Sequence, residues 1–254
     1  MLQIDLTGRL CVVTGGSGEL GRAMVRTLGS CGADVAIHYH QNREMAERLS
    51  AELRGMRRRT MTVQADVTDR ASVMAMRDAI RAELGAPDII VNNAVSQYKW
   101  VTVMEQDLDD YESQFRTCVL HNVLMCKAFV PGMIDKGWGR VIGINTECAM
   151  QNFATQSAYV AGKRGMDGVL RILAKEVGKH QITVNQVAPG WTISDRARAE
   201  GTEIQQKYTS TVPLGRRGDD QEIANVVAFL ASDLASYITG AYIPVCGGNV
   251  MPCI

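Results

Sequence analysis

Short apolar runs recur along the chain, and longer stretches with a helical apolar rhythm fall between them. The first run is Leu10-Cys11-Val12-Val13; Asp34 to Tyr39, Thr60 to Gln64, Asp88 to Asn92, Arg140 to Asn145, Thr183 to Val187 and Ala241 to Val245 follow. Runs this short and this apolar predict strands covered on both faces. Helices are predicted from about Leu20, and over Arg43 to Leu53, Ser72 to Leu84, Asp109 to Ile134, Ser157 to Val177 and Gln221 to Ser232. Each can lay an apolar stripe on a sheet; Met166, Leu170, Leu173 and Val177 form one, read as core. Strand and helix alternate throughout, so the expectation is an α/β, Rossmann-type, doubly wound parallel sheet of seven strands with helices on both faces. No internal repeat, linker or low-complexity segment breaks the pattern, and residues 1–254 are expected to form one domain.

Composition narrows the partners. The 27 basic and 27 acidic residues cancel, and Arg57-Arg58-Arg59 is the longest basic run, so nucleic acid is not expected. The seven cysteines, Cys11, Cys31, Cys118, Cys126, Cys148, Cys246 and Cys253, are odd in number and contain no C-x-x-C pair. That speaks against a disulfide framework and a metal site, and for reduced thiols. Met1 to Asp5 lacks a basic region followed by an apolar stretch, and no apolar run approaches the roughly 18 residues of a membrane span. A soluble, cytoplasmic chain without a membrane partner is expected.

Thr14-Gly15-Gly16-Ser17-Gly18-Glu19-Leu20-Gly21 falls where the first strand ends and a helix begins. Free amides and the helix dipole at such a junction suit a pyrophosphate. Gly16, Gly18 and Gly21 satisfy G-x-G-x-x-G; Gly15 and Gly21 satisfy the outer positions of T-G-x-x-x-G-x-G, in which Glu19 replaces the middle glycine. The Glu19 carboxylate either repels the pyrophosphate or turns to solvent, the latter being expected. The end of the second strand, His38-Tyr39-His40-Gln41-Asn42-Arg43, carries no acid to hold a ribose 2′-hydroxyl. With Arg43 and two histidines near, NADP(H) is preferred, NAD(H) remaining possible; Arg43 is equally readable as a solvated residue in the first turn of a helix.

Tyr159 and Lys163 lie one helical turn apart and project from one face. A phenol with its ordinary pKa of about 10 is a poor base at neutral pH. The Lys163 ammonium is expected to lower it, so that Tyr159 serves as general acid in reduction and general base in oxidation.

With these residues the chain resembles the short-chain dehydrogenase/reductase family over nearly its whole length, and especially the branch of bacterial 3-oxoacyl-acyl-carrier-protein reductases. Asp66-Val67, Asn92-Asn93-Ala94, Pro189-Gly190, Pro213-Leu214-Gly215-Arg216, Glu222-Ile223-Ala224 and Thr239-Gly240 extend the likeness in order. The resemblance implies strand order 3-2-1-4-5-6-7, a homotetramer, and hydride transfer with a Ser-Tyr-Lys set and an asparagine. It carries cofactor contacts onto Gly15, Ser17, Gly18, Leu20, Gly21, Tyr39, Arg43, Asp66, Val67, Asn93, Ala94, Tyr159, Lys163, Pro189 and Gly190, with Lys163 holding the nicotinamide ribose. Thr146 stands where the family has its catalytic serine, and its hydroxyl offers the same hydrogen bond. Cys118 stands at the asparagine position, with Asn122 one turn on as a substitute, and Val95 replaces a glycine beside the cofactor.

The pocket is expected to draw on Ser96 to Trp100, Glu147 to Met150, and a lid over 191–217. Arg216 and Arg217 read as structural or as guides for an acidic substrate. Glu147 reads as a ligand for a polyhydroxylated substrate, or as a residue facing solvent or a salt bridge. The expected function is an oxidoreductase acting on a small carbonyl or secondary alcohol, with Thr146, Tyr159 and Lys163 catalytic. A non-catalytic dinucleotide-binding regulator or scaffold of the same fold is the alternative; an epimerase would carry a longer substrate domain.

Overall fold

The structure is a computed structural model and describes residues 3–201 and 205–251. Seven parallel strands, β1 (Leu10–Val13), β2 (Asp34–Tyr39), β3 (Thr60–Gln64), β4 (Ile89–Asn92), β5 (Gly139–Ile144), β6 (Ile182–Pro189) and β7 (Tyr242–Val245), form one sheet in the order β3-β2-β1-β4-β5-β6-β7. The main crossovers are α1 (Glu19–Ser30), α2 (Arg43–Gly55), α3 (Arg70–Glu83), α4 (Leu108–Gln114) continuing into α5 (His121–Lys136), α7 (Ser157–Val177) and α10 (Asp220–Ala231). Short helices α6 (Cys148–Gln151), α8 (Asp195–Glu200) and α9 (Gln206–Thr209) lie in the connections after β5 and β6.

Successive strand residues point to opposite faces, which splits the core in two. Cys11 and Val13 pack with Leu28, Leu49, Ile223 and Val227 under α1, α2 and α10. Leu10 and Val12 pack with Ile80, Phe129, Met166 and Leu170 under α3, α5 and α7. Helix starts follow local chemistry: Asn42 accepts from the Met45 amide at 3.2 Å, Asp69 from Ser72 at 2.6 Å, and Asp219 with Glu222 forms a capping box. Gly137, at φ +65°, ends α5 in the left-handed conformation.

The helix expected over Asp109 to Ile134 is interrupted: Phe115–Leu120 forms a wider π turn between α4 and α5. α7 presses on this helix at Gly162, where a Cβ would lie 2.8 Å from the Gln114 carbonyl oxygen and 3.2 Å from the Cys118 Cβ. Gly143 on β5 allows the same closeness on the sheet side, since a Cβ there would meet Leu170 at 2.5 Å. These two glycines let α7 settle deep enough to bring its first turns over the carboxyl end of β5. By length and composition Leu108–Lys136 could cross a membrane, but 61% of its most apolar window is buried in this fold.

Candidate active site

The glycine turn is held from three directions. The Thr14 hydroxyl accepts from the Asn93 and Ala94 amides at 2.9 and 3.1 Å, and the Asn93 side chain donates to the Thr14 and Gly15 carbonyls at 3.0 and 3.2 Å. From β2, His38 Nδ1 accepts from the Gly15 amide at 2.9 Å, which leaves Nε2 as the protonated nitrogen facing the Ala65 carbonyl at 3.0 Å. Burial lowers the His38 pKa to about 4, so this tautomer persists at neutral pH. Gly15 has φ +62°, and a Cβ on Gly21 would lie 2.1 Å from the Gly15 carbonyl oxygen. Only glycine closes this cradle at the start of α1, beside the point where strand order reverses between β1 and β4. Glu19 is exposed in the first turn of α1, where a carboxylate favours the helix dipole. Gly18 is the residue before α1, Ser17 is buried and Leu20 half-buried.

Thr146 and Tyr159 meet at the carboxyl end of β5. The Tyr159 amide donates to the Tyr98 phenol oxygen at 2.7 Å, so a side chain from the β4–α4 loop caps the start of α7. Trp100 from the same loop stacks on Tyr159, ring centroids 6.2 Å apart. Lys163 is buried, donates to the Ile144 carbonyl at 2.5 Å, and lies 5.7 Å from the centre of the Tyr159 ring. Asn145 joins both sides: its Oδ1 accepts from the Thr146 amide at 2.9 Å, and its Nδ2 donates to the Lys163 carbonyl at 3.2 Å and to Gln186 at 2.7 Å.

Electrostatics depart from the sequence expectation. Burial lowers the Lys163 pKa, and the Cys118 and Cys148 thiols oppose that shift. Burial, then the same two thiols, push the Tyr159 phenol up, and the Thr146 hydroxyl pulls it only partly back. Burial thus favours the neutral form of the Tyr159 phenol.

Several expected roles change once the packing is seen. His38 is not a cation for a 2′-phosphate, because it is buried, neutral and committed to Gly15. Tyr39 is 7% exposed and packs in the core beneath α2. Arg43 opens α2 with its guanidinium exposed and paired to Glu47 at 2.6 Å. Asn122 donates to the Cys118 carbonyl at 2.7 Å and accepts from Asn92 at 2.8 Å, which commits it away from Lys163. Cys118 sits in the π turn, buried. Asp66 is exposed just past β3 with Val67 buried behind it; Val95 is half-buried after β4; Pro189 ends β6 and Gly190 follows.

The segment after β6 folds back over this end of the sheet. Asp195 at the start of α8 pairs with Arg22 on α1, and Tyr208 on α9 donates to Glu147 at 2.7 Å. Arg217 is buried over the Trp191 ring, 4.8 Å from its centre, and Arg216 pairs with Glu222 at 2.6 Å; both serve structure. Residues 202–204 of the expected lid lie outside the described residues, as does Cys253. Sequence reasoning gave no structural role to Thr14 or Asn145 and set His38 beside the cofactor instead of under the turn. A threonine opening the turn was the one local signal; the other two reveal themselves only through partners distant in sequence.

A family model described as enoyl-(acyl carrier protein) reductase matches residues 17–249. The 3-oxoacyl-(acyl-carrier-protein) reductase FabG of Pseudomonas aeruginosa is 37% identical over 248 residues, covering 98% of this chain and 100% of that protein. The FabG of Escherichia coli (strain K12) is 36% identical over 261 residues, again covering 98% and 100%. Among solved structures, a variant of a Serratia marcescens short-chain dehydrogenase/reductase superposes with a TM-score of 0.88 at 30% identity, covering 96% of this chain and 98% of that one. A blue fluorescent protein from a metagenomic library, solved in complex with NADPH, gives 0.89 at 34% identity, covering 97% and 100%.

Proposed function

The chain belongs to the short-chain dehydrogenase/reductase family, and from that premise we propose that it is an NADP(H)-preferring reductase of a small carbonyl compound, with Tyr159 as proton donor. The whole chain, 1–254, acts as one catalytic domain, with 191–217 as its lid. The observation that supports the reaction most is the half-buried Tyr159 phenol beside the Thr146 hydroxyl, with Lys163 one helical turn on and fixed to the Ile144 carbonyl. A neutral phenol at a carbonyl oxygen is an acid, which favours reduction; the same group accepts the proton back when an alcohol is oxidised.

The turn suits a dinucleotide: Gly15 and Gly21 let the chain pack on itself where any Cβ would clash, and the start of α1 has no side-chain cap to compete with a pyrophosphate. Gly15, Ser17, Gly18, Leu20 and Gly21 would hold the pyrophosphate, Asp66 and Val67 the adenine, and Asn93, Ala94, Pro189, Gly190 and Lys163 the nicotinamide end. When bound, the nicotinamide supplies the hydride. The chain's own part is to orient the carbonyl oxygen with Thr146, protonate it from Tyr159 and exclude water with the lid. Support for NADP(H) over NAD(H) is the lack of an acid from His38 to Arg43 and the cation at Arg43. A cytoplasmic homotetramer completes the proposal, by analogy with the family.

Replacing Tyr159 by Phe tests the mechanism. Turnover on a panel of ketones, 3-oxoacyl thioesters included, should fall by about a hundredfold to ten-thousandfold, the usual worth of a general acid, with NADPH affinity nearly unchanged. Retained turnover would remove Tyr159 from the chemistry.

A further inference from the structure

Glu147 follows Thr146 directly and is 3% exposed. Its amide donates to the Pro189 carbonyl at 2.9 Å, which ties it to the end of β6. One carboxylate oxygen accepts from the Tyr208 phenol at 2.7 Å and the other from the Asn249 side chain at 3.1 Å. Both oxygens are therefore engaged, and neither a substrate ligand nor a solvent-facing carboxylate describes this residue. The Tyr208 oxygen also accepts from the Trp191 amide at 2.8 Å, and the two rings meet edge to face at 5.4 Å. That placement depends on Gly190, where a Cβ would lie 2.7 Å from the Tyr208 oxygen. Asn249 in turn accepts from Thr211, at the far end of the same segment, at 3.1 Å.

One carboxylate thus joins the catalytic loop, the lid and the loop after β7. Burying a charge among neutral donors is costly, and an apolar side chain would fill the volume at less expense. What a carboxylate supplies here is two acceptors of fixed direction, one for each of two segments that have no strand or long helix to anchor them. We propose that Glu147 is a positioning residue that holds Tyr208 and Trp191 as the inner wall of the lid at a set distance from Thr146, and thereby selects which substrates reach Tyr159.

The inference rests on the reading of Thr146 and Tyr159 as the catalytic pair, and the test separates the two. Limited trypsin digestion without cofactor reads the lid alone, at Lys207 beside Tyr208. Glu147→Ala and Tyr208→Phe should each speed that cut by at least about tenfold, the scale of removing one charge-assisted hydrogen bond, and the double variant should be no faster than Glu147→Ala. In turnover with NADPH, each single variant should raise KM for the preferred carbonyl compound by more than it lowers kcat. Glu147→Gln, which keeps an acceptor for the phenol, should restore most of the loss. Additive effects in the double variant, or unchanged digestion, would overturn the proposal. If Glu147→Ala does not fold, Tyr208→Phe and Glu147→Gln decide the matter on the same two readouts. If the wild type turns over no carbonyl compound, the reading of the catalytic pair fails, while digestion still decides whether Glu147 holds the lid.

Discussion

His38 offers a test of how the glycine cradle is held, because its role depends on a single protonation state. Nδ1 must remain unprotonated to accept from Gly15, and a proton there would set two donors against each other in a buried site. Burial lowers the folded pKa from 6.5 to about 4. For a base lowered on folding, the unfolded chain binds the extra proton between those values. The contribution of His38 is full above the unfolded pKa and is lost as the pH falls toward the folded one. At about pH 5 the unfolded imidazole is protonated and the folded one largely neutral, a loss of about 2 kcal/mol relative to about pH 8. In His38→Asn the Oδ1 atom takes the place of Nδ1 as acceptor and the titration disappears. Urea unfolding at both pH values, at fixed protein concentration, gives each protein's stability difference. That difference should be about 2 kcal/mol smaller in His38→Asn than in the wild type. The subtraction removes the carboxylates common to both, and also His121, which burial brings down to about 3. Equal differences in the two proteins would refute the neutral clamp. His38→Leu should in addition weaken NADPH binding at neutral pH, since the Gly15 amide then loses its buried acceptor, a penalty of about 1–3 kcal/mol.

Gly21→Ala should weaken NADPH binding by at least about tenfold, because its methyl group would meet the Gly15 carbonyl oxygen at 2.1 Å and overpacking of this kind costs roughly 1–3 kcal/mol; nicotinamide fluorescence titration reads it, and wild-type affinity would mean the turn is not the cradle. Arg43→Ala should lower the ratio of NADPH to NADH affinity by about tenfold, the effect of removing one charge-assisted hydrogen bond to a phosphate. An unchanged ratio would leave Arg43 as the partner of Glu47 alone.

How much of the fold and site was legible in the sequence depends on whether the signal is local. β2 and β3 begin and end where their apolar runs do, because β-branched alternation and flanking breakers are written within the segment itself. The cradle was legible for the same reason, its glycines lying within one turn of chain. The π turn was not, although α7 comes close to it at Gly162, which is distant in sequence from Phe115–Leu120. His38 read as a surface cation, since nothing near it in sequence announces the Gly15 amide it meets.

Each of the four departures from the family's pattern has a definite place in this fold. Glu19 lies exposed in the first turn of α1, where a carboxylate favours the helix dipole and is tolerated. Val95 is half-buried beyond the end of β4, clear of the glycine turn that Asn93 and Ala94 hold. Thr146 keeps the hydroxyl, and Asn145 pins its amide, so the added methyl group alters bulk without altering the donor. Cys118 is different in kind. It replaces an amide by a thiol beside the buried Lys163, and its neighbour Asn122 is already committed to Asn92 and to the Cys118 carbonyl. Asn122 therefore brings no amide to the ammonium from that side, and burial lowers Lys163 while it raises Tyr159. Both shifts favour the neutral forms of the two groups. The Cys118 thiol adds to the rise of the Tyr159 phenol, so Cys118→Asn should move the alkaline limb of the kcat–pH profile to lower pH, and an unmoved limb would show that the thiol has no part in that shift.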